Sequence, residues 1–545
     1  MTDNGPADVC VIGAGPAGAV LATDLAERGH DVIVVDAGPR FDPADRPMRM
    51  ERELRPSFTR ADVWDMGGPR DAFTTSGPID YSLNDARVKG LGGTTLHWQG
   101  SVQRLHPEDF EMRSRHGVAD DWPISYDDLE PYYVAAEREL GVAGEPSPFG
   151  GHRSAPYPMA AHPPSYPDQV LREGFEANGI ELHACPTAIN SEPYDDRPAC
   201  EGYGTCNPVC PSRAKYSADV HVHRAERAGA TVLTDAPVTR LAHDDAGERV
   251  TAAIVDRRGS PDYVRADTFV VAAGAVETAR LLLLSASSSH PDGLANGSGL
   301  VGRRFMEHPS VKLEARLDHE SRQHLIGFDT SISEQYYGHA DGPSGSMLLQ
   351  IDNDHGPAPV EAALPGGTTI NRLVFESPVD AVSPTAFGNG VLESVDEQYG
   401  DGIGVLALGE QLPDPTNRVT LSESETDAFG NPVPDLHFDV DDRTRRTLER
   451  AMSVLENVMD ALPVTDVEPL GSPDNPSFNN HHLGTTRMGD RRSSSVVNPD
   501  LRAHEVENLY VSSGSVFVTG GAATPTLTIV ALSLRLADHL DDVLA

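Results

Sequence analysis

An apolar run at Val9–Ile12 is followed by Gly13, Gly15 and Gly18, then by Ala17–Arg28, whose Leu21 and Leu25 fall on one helical face. A second apolar run, Val32–Val35, ends in Asp36. The pattern predicts a β–turn–α–β unit with the G-x-G-x-x-G spacing of a dinucleotide loop. The first glycine permits the tight turn, the second lets a pyrophosphate approach the backbone, and the third lets helix and strand pack. The helix start then faces the phosphates with unpaired N–H groups and a positive dipole end. Asp36 is placed to accept from a ribose hydroxyl.

Further buried strands are predicted at Thr231–Val238 and Thr268–Ala273, the latter leading through Gly274 into a helix at Val276–Leu284. Residues 90–98, GLGGTTLHW, are too rich in Gly and Thr for an element interior and suit close backbone approach to a ligand. The stretch 311–474 is irregular, with short alternating runs such as Thr368–Val374. Near the end, Asn508–Val511 reads as a strand, and turns follow at Gly514, Ser515, Gly520 and Gly521. Thr524 as N-cap and Pro525 at the first helical position predict a last helix with Leu527, Val530, Ala531 and Leu534 on one face. The predicted class is α/β. A Rossmann-like nucleotide-binding domain is drawn from 1–105, 215–310 and 475–545. A discontinuous substrate-binding α+β domain is drawn from 106–214 and 311–474.

Charge changes the picture outside the fold. The chain carries 43 basic and 83 acidic residues, a net −40, and only three lysines, Lys89, Lys215 and Lys312. Such a surface repels nucleic acid and anionic lipid, and it destabilises a compact state unless salt screens it. A halophile's cytoplasmic protein is the expectation. No signal peptide is visible in Met1–Asp8, and no direct membrane insertion is expected, so membrane association would come through a partner. Five cysteines, three of them within 200–210, do not suggest a disulfide framework.

Taken together, Gly13–Asp36, GGTTLHW at 92–98, AAGAVETARLLLLS at 272–285, HHLGTTRMG at 481–489 and GS…TPTLT at 514–528 resemble the glucose–methanol–choline (GMC) oxidoreductases, in that family's order and over nearly the whole chain. The resemblance is nearest to the branch holding sugar and sugar-acid dehydrogenases and pyranose oxidases. It implies FAD along the first domain. Gly13, Gly15, Gly18 and Asp36 would hold the ADP part and Val238 would flank the adenine. Gly92, Gly93 and Thr94 would line the flavin side, with Gly514 and Ser515 at the pyrophosphate. His97 matches a position where some members attach FAD covalently and others only pack against the flavin edge. His481 would face flavin N5 as the base that takes the alcohol proton while hydride leaves the carbon, with His482 as its competitor for that role. The start of the last helix, Pro525 and Thr526, would stabilise the reduced flavin. Departures are Thr524 at the second catalytic position, where His or Asn is usual, Val518 in place of Pro, and Ser513 in place of Asp.

Cys200, Cys206 and Cys210, followed by Pro211, resemble the segment that binds a [3Fe-4S] cluster in bacterial FAD-dependent glucose dehydrogenase. A zinc site completed by His221 or His223, or three unliganded thiols, are the competing readings. With the cluster, the expected protein is a dehydrogenase of a sugar, polyol or sugar acid that passes electrons to a one-electron acceptor protein or a quinone. Without it, an oxidase using oxygen, or a weakened electron-transfer flavoprotein, stays open.

Overall fold

The computed structural model describes residues 6–53, 63–85, 87–257, 260–322, 326–338, 344–353, 392, 395 and 399–545. Five short apolar runs form one parallel sheet: β1 (Ala7–Ile12), β2 (Val32–Val35), β3 (Thr231–Leu233), β4 (Ala266–Val271) and β5 (Leu509–Val511), in the order β5-β4-β1-β2-β3. The register pairs Ile12 with both Val271 and Val35, so three strand ends finish at one edge. β1 is central, and Val9, Cys10 and Val11 are wholly buried. Cover on both faces explains why the strand reads as a continuous apolar run rather than an alternation. Helix α1 (Pro16–Glu27) packs on β1 and β2 and against α3 (Thr526–Leu544), the strand at Val250–Arg257 packs on β4, and α2 (Gly274–Leu284) follows β4 after a short turn.

Two expected elements are corrected. Thr231–Val238 is not one strand: β3 ends at Leu233, and Val238 begins a separate antiparallel sheet of Val238–His243, Val250–Arg257 and Ser260–Val264. Asp235 adopts φ of +49° and Pro237 follows, which interrupts a strand. The turn so formed bonds to the end of β2 through Ala236 N–H to Asp36 O and Asp235 N–H to Gly38 O. It thereby ties the chain just before Val238 to the end of β2. The last helix starts at Thr526 with Pro525 as N-cap and no side-chain cap. Thr524 does not cap it, because its hydroxyl is engaged elsewhere, as described below.

An antiparallel sheet stands apart from the parallel one. Its path runs Thr465–Leu470, Pro309–Arg316, Gly402–Gly409, Met347–Asp352, Ser331–Ser333 and His183–Ala184, with Ser477–Phe478 also paired to Pro309–Arg316. Helices Tyr166–Ala177 and Asp442–Asp460 pack on it in a second core containing Leu171, Phe175, Val405, Leu448 and Leu455. A mixed sheet joins Leu483–Thr485, Arg303–Met306, Arg418–Thr426, Pro432–His437 and Thr74–Thr75. The expected run Thr368–Val374 lies outside the described residues. No helix among the described residues is long and apolar enough to cross a membrane.

All three lysines are drawn inward. Lys215 is fully buried, Lys89 pairs with Asp71 and Glu277, and Lys312 pairs with Asp352 and Glu314. Lysine is kept where an ammonium holds several oxygens together, and the surface does without it.

Candidate active site

The site begins at the C-terminal edge of the parallel sheet, where open α/β sheets bind ligands. Gly13 has φ of +107°, and a Cβ there would lie 2.6 Å from Ala272 O. A Cβ on Gly18 would lie 2.0 Å from Gly13 O and 3.1 Å from the side chains of Val11 and Ala272, so only glycine allows this helix–strand approach. Gly15, by contrast, faces open space and is the N-cap of α1 with no side-chain cap. The first turn of α1 therefore presents its amide N–H groups outward. Asp36 is buried and accepts from Ala14 N–H and Gly38 N–H, each at 2.9 Å. Burial raises its pKa, and the two N–H donors oppose that rise. Each carboxylate oxygen retains a lone pair for a hydroxyl. These features fit the phosphate and ribose of a flavin dinucleotide.

The 90–98 segment folds onto this loop. Gly92 N–H donates to Ala14 O at 3.0 Å, and a Cβ on Gly93 would come within 3.0 Å of Gly15 Cα. Thr94 is exposed and His97 half-buried at the end of the short 3₁₀ turn Gly93–Leu96. The segment is anchored from behind by two features that the sequence reading missed. Lys89 and Arg87 pair with Glu277 at 3.2 and 2.5 Å, tying the segment to the first turn of α2. These cations hold the Glu277 carboxyl well below the usual carboxylate range despite its burial. Lys215 Nζ donates to Leu96 O, Trp98 O and Cys206 O.

Three distant segments form the histidine cluster. His481 Nδ1 lies 2.9 Å from His308 Nδ1, and His308 Nε2 lies 2.9 Å from Gly521 O. Glu307 Oε1 accepts from His481 N–H at 2.6 Å and from His308 N–H at 2.7 Å, while Tyr81 O–H donates to Glu307 Oε2. Tyr81 oxygen is also 2.9 Å from His482 Nε2, whose ring packs against Tyr81 and Phe305. Burial and the neighbouring imidazoles push His481 well below the usual histidine range. Burial likewise takes His308 down to about 4 and His482 down to about 3. All three are neutral at physiological pH. Burial raises the Glu307 carboxyl to about 7, against the pull of its N–H and O–H donors.

The structure thus separates the adjacent histidines: His482 is locked in an aromatic pocket, and His481 is set against a second imidazole. Glu307, His308 and Tyr81 escaped the sequence reading, since nothing near 307–308 or 81 carries a spacing signal. The cluster reaches the sheet edge by two contacts. Thr485 O–H donates to Ala275 O at 2.8 Å, and a Cβ on Gly514 would lie 2.7 Å from His482 O. Ser515 is fully buried, its hydroxyl bonded to Thr486 and Ser513.

Thr524 is buried, with Oγ1 2.9 Å from Ser101 O and 2.7 Å from Gln103 Oε1. Its single proton is directed into the 101–103 segment. Pro525 and Thr526 start α3 without a side-chain cap, which leaves first-turn amides as donors.

The five cysteines are free thiols. Cys206 and Cys210 are buried and Cys200 is half-buried, with Cys210 Sγ 3.5 Å from Lys215 N and 3.6 Å from Ser212 Oγ. Among the described residues no three His, Cys, Asp or Glu side chains gather as a single metal ion requires. His221 is removed as a zinc ligand because its ring nitrogens bond Tyr216 and Glu139 at 2.9 Å each. His223, half-buried on the same helix, joins no such group.

Residues 81–310 match the N-terminal and 413–533 the C-terminal family model of "GMC oxidoreductase", and 8–44 match "FAD dependent oxidoreductase". The chain is 35% identical to the fructose dehydrogenase large subunit of Gluconobacter japonicus, over 98% of this chain and 97% of that one. It is 30% identical to 2-methyl-1,2-propanediol dehydrogenase of Mycolicibacterium austroafricanum, over 98% and 95%. The fold is shared with pyridoxine 4-oxidase from Mesorbium loti at a TM-score of 0.63 and 19% identity, over 98% and 99%. The expected α/β class, with a Rossmann-like FAD-binding domain, is the fold observed, and the chain belongs to the GMC oxidoreductase family as an FAD-dependent enzyme acting on CH–OH donors.

Proposed function

We propose that the enzyme is a dehydrogenase of a sugar, polyol or sugar acid, with His481 as the base that takes the hydroxyl proton. The observation that carries this reading is a neutral, half-buried imidazole held in place by the buried Glu307 and His308. Neutrality makes it able to accept a proton, and its remaining exposure leaves it open to a substrate. Bound FAD supplies the two-electron acceptor at its N5. Gly13, Gly15, Gly18 and Asp36 would hold its ADP part, Val238 the adenine, Gly92, Gly93 and Thr94 the flavin side, and Gly514 and Ser515 the pyrophosphate. The uncapped amides after Pro525 and Thr526 point a positive helix end toward the charge that builds during oxidation. His97 is the residue for a covalent tether or an edge contact. Thr524, with its proton turned to Gln103 and Ser101, shapes the wall of the site more than it grips substrate oxygen. The boundaries at 105, 214, 310 and 474 divide cofactor-binding from substrate-binding segments.

A [3Fe-4S] cluster on Cys200, Cys206 and Cys210, serving a one-electron acceptor, is the finer reading. It is supported by the cysteine spacing and by Lys215, which ties the Cys206 backbone to that of Leu96 and Trp98. The second reading is an oxidase using oxygen, in which the three thiols carry no cluster. The acidic surface is that of a halophile's protein.

The test is purified holoenzyme in molar KCl, made anaerobic and offered D-fructose, gluconate, glycerol and 2-methyl-1,2-propanediol. Bleaching of the flavin band by a sugar or polyol is expected, together with bound iron and sulfide and no peroxide on admitting air. A flavin that none of them bleaches would remove the proposal. Peroxide without iron would select the oxidase.

A further inference from the structure

We infer that His308 and Glu307 are positioning residues: His308 holds His481 in the tautomer whose Nε2 is unprotonated and turned to the substrate, and Glu307 sets the two rings in the contact that makes this possible. The inference rests on His481 as the base and adds how that base is kept ready. It starts from Gly521. A carbonyl oxygen only accepts, so the 2.9 Å contact with His308 Nε2 places a proton on that nitrogen. His308 is buried and neutral, and a neutral imidazole carries one N–H, so its Nδ1 is a bare acceptor. The 2.9 Å contact between His308 Nδ1 and His481 Nδ1 then needs a proton from the only other source, His481. His481 is itself neutral and has spent its N–H there. Its Nε2 is left as a lone pair.

Glu307 sets the geometry in which this logic works. One carboxylate oxygen accepts from the backbone N–H groups of both His481 and His308, which come from segments far apart in the chain. Their rings therefore meet at 5.1 Å between centroids and 80° between planes, an edge approach that aligns the two Nδ1 atoms. The neighbouring His482 cannot take over. Its Nε2 is already occupied by the 2.9 Å contact with the Tyr81 oxygen, and its ring packs against Tyr81 and Phe305. A lone imidazole without His308 would populate both tautomers, and in one of them the nitrogen facing the substrate is already protonated.

The test uses holoenzyme with ¹⁵N-labelled histidine and no substrate, and then the fastest donor of the alcohol panel. Wild type is expected to show His481 protonated at Nδ1 and bare at Nε2. His308→Asn keeps an acceptor at the Nδ1 position, and it is expected to retain this tautomer and flavin reduction within about tenfold. His308→Phe is expected to mix the tautomers and slow reduction by about 10²-fold, with little change in KM. Glu307→Gln, which keeps a carbonyl oxygen for the two backbone N–H groups but turns an NH2 toward the Tyr81 hydroxyl, is expected to slow reduction by about tenfold while His481 keeps its tautomer. A bare Nδ1 on wild-type His481, or equal rates for the Asn and Phe variants, would overturn the tautomer assignment. An unchanged rate in Glu307→Gln would overturn its positioning role. Failure of the base reading is seen separately, as flavin reduction that survives His481→Ala while the wild-type tautomer stands as assigned.

Discussion

The nucleotide loop and the histidine cluster solve the same problem, placing polar groups at the end of a parallel sheet, by opposite means. Between Ile12 and Asp36 the work is done by backbone: glycines whose added Cβ atoms would collide, an uncapped helix start, and one carboxylate on two N–H groups. The cluster uses side chains from residues 81, 307–308 and 481–482, joined by a buried carboxylate that no single segment specifies. A backbone solution is local and tolerates little substitution. A side-chain solution draws on distant segments and fails one member at a time.

The sharpest way to break the first region is Gly18→Val. A Cβ 2.0 Å from Gly13 O cannot be absorbed by a flexible side chain, so the turn or the helix must move. We expect protein purified without flavin and destabilised by at least about 3 kcal/mol, read by absorbance and denaturant unfolding. Normal flavin content would mean that helix–strand contact is not what holds the loop.

Within the second region, the two adjacent histidines provide the contrast. His481→Ala is expected to slow anaerobic flavin reduction by about 10³-fold or more while flavin stays bound. His482→Phe fills the aromatic pocket and removes one hydrogen bond to Tyr81. It is expected to cost about 1 kcal/mol of stability and to leave reduction within about tenfold. Reversal of that order would exchange the two roles.

A pH-dependent effect separates the cluster's charges. Folding depresses His308 to about 4 and His482 to about 3, whereas unfolded imidazoles titrate near 6.5. The unfolded chain therefore binds more protons, and this contribution to stability is lost as pH falls below about 6.5 toward those values. Glu307, raised to about 7, has the opposite sign: its contribution is present at low pH and is lost as pH rises through about 7. Two imidazoles outweigh one carboxylate, so the cluster is acid-labile between about pH 6.5 and 4. His482→Phe should reduce the acid loss over that window by on the order of 2 kcal/mol relative to wild type at the same KCl concentration. Parallel pH curves for the two proteins would contradict this.

The same contrast shows what could be read in advance. The spacing of Gly13, Gly15 and Gly18 announces its own use, because steric limits on a turn act over a few residues. The strands β1, β2, β4 and β5 were legible as apolar runs, but Thr231–Val238 was overread. A strand that ends at a positive-φ residue and one that continues into another sheet differ only in their partners. The motif points to His481 over its neighbour His482, but it says nothing of Glu307, His308 or Tyr81, which come from segments without a spacing signal.

Composition and order along the chain alone determined the parallel sheet, the glycine loop, the absence of a long apolar helix among the described residues, and a surface with more than enough negative charge. These depend on local sterics and on side-chain chemistry summed over the chain. Tertiary structure decided which histidine pairs with His308, that Thr524 turns to Gln103 rather than capping the last helix, and that Glu307 joins both imidazole-bearing segments. Those outcomes depend on burial. A proton or a carboxylate finds its partner according to which groups are shut away from water together, and that is set only when distant parts of the chain pack.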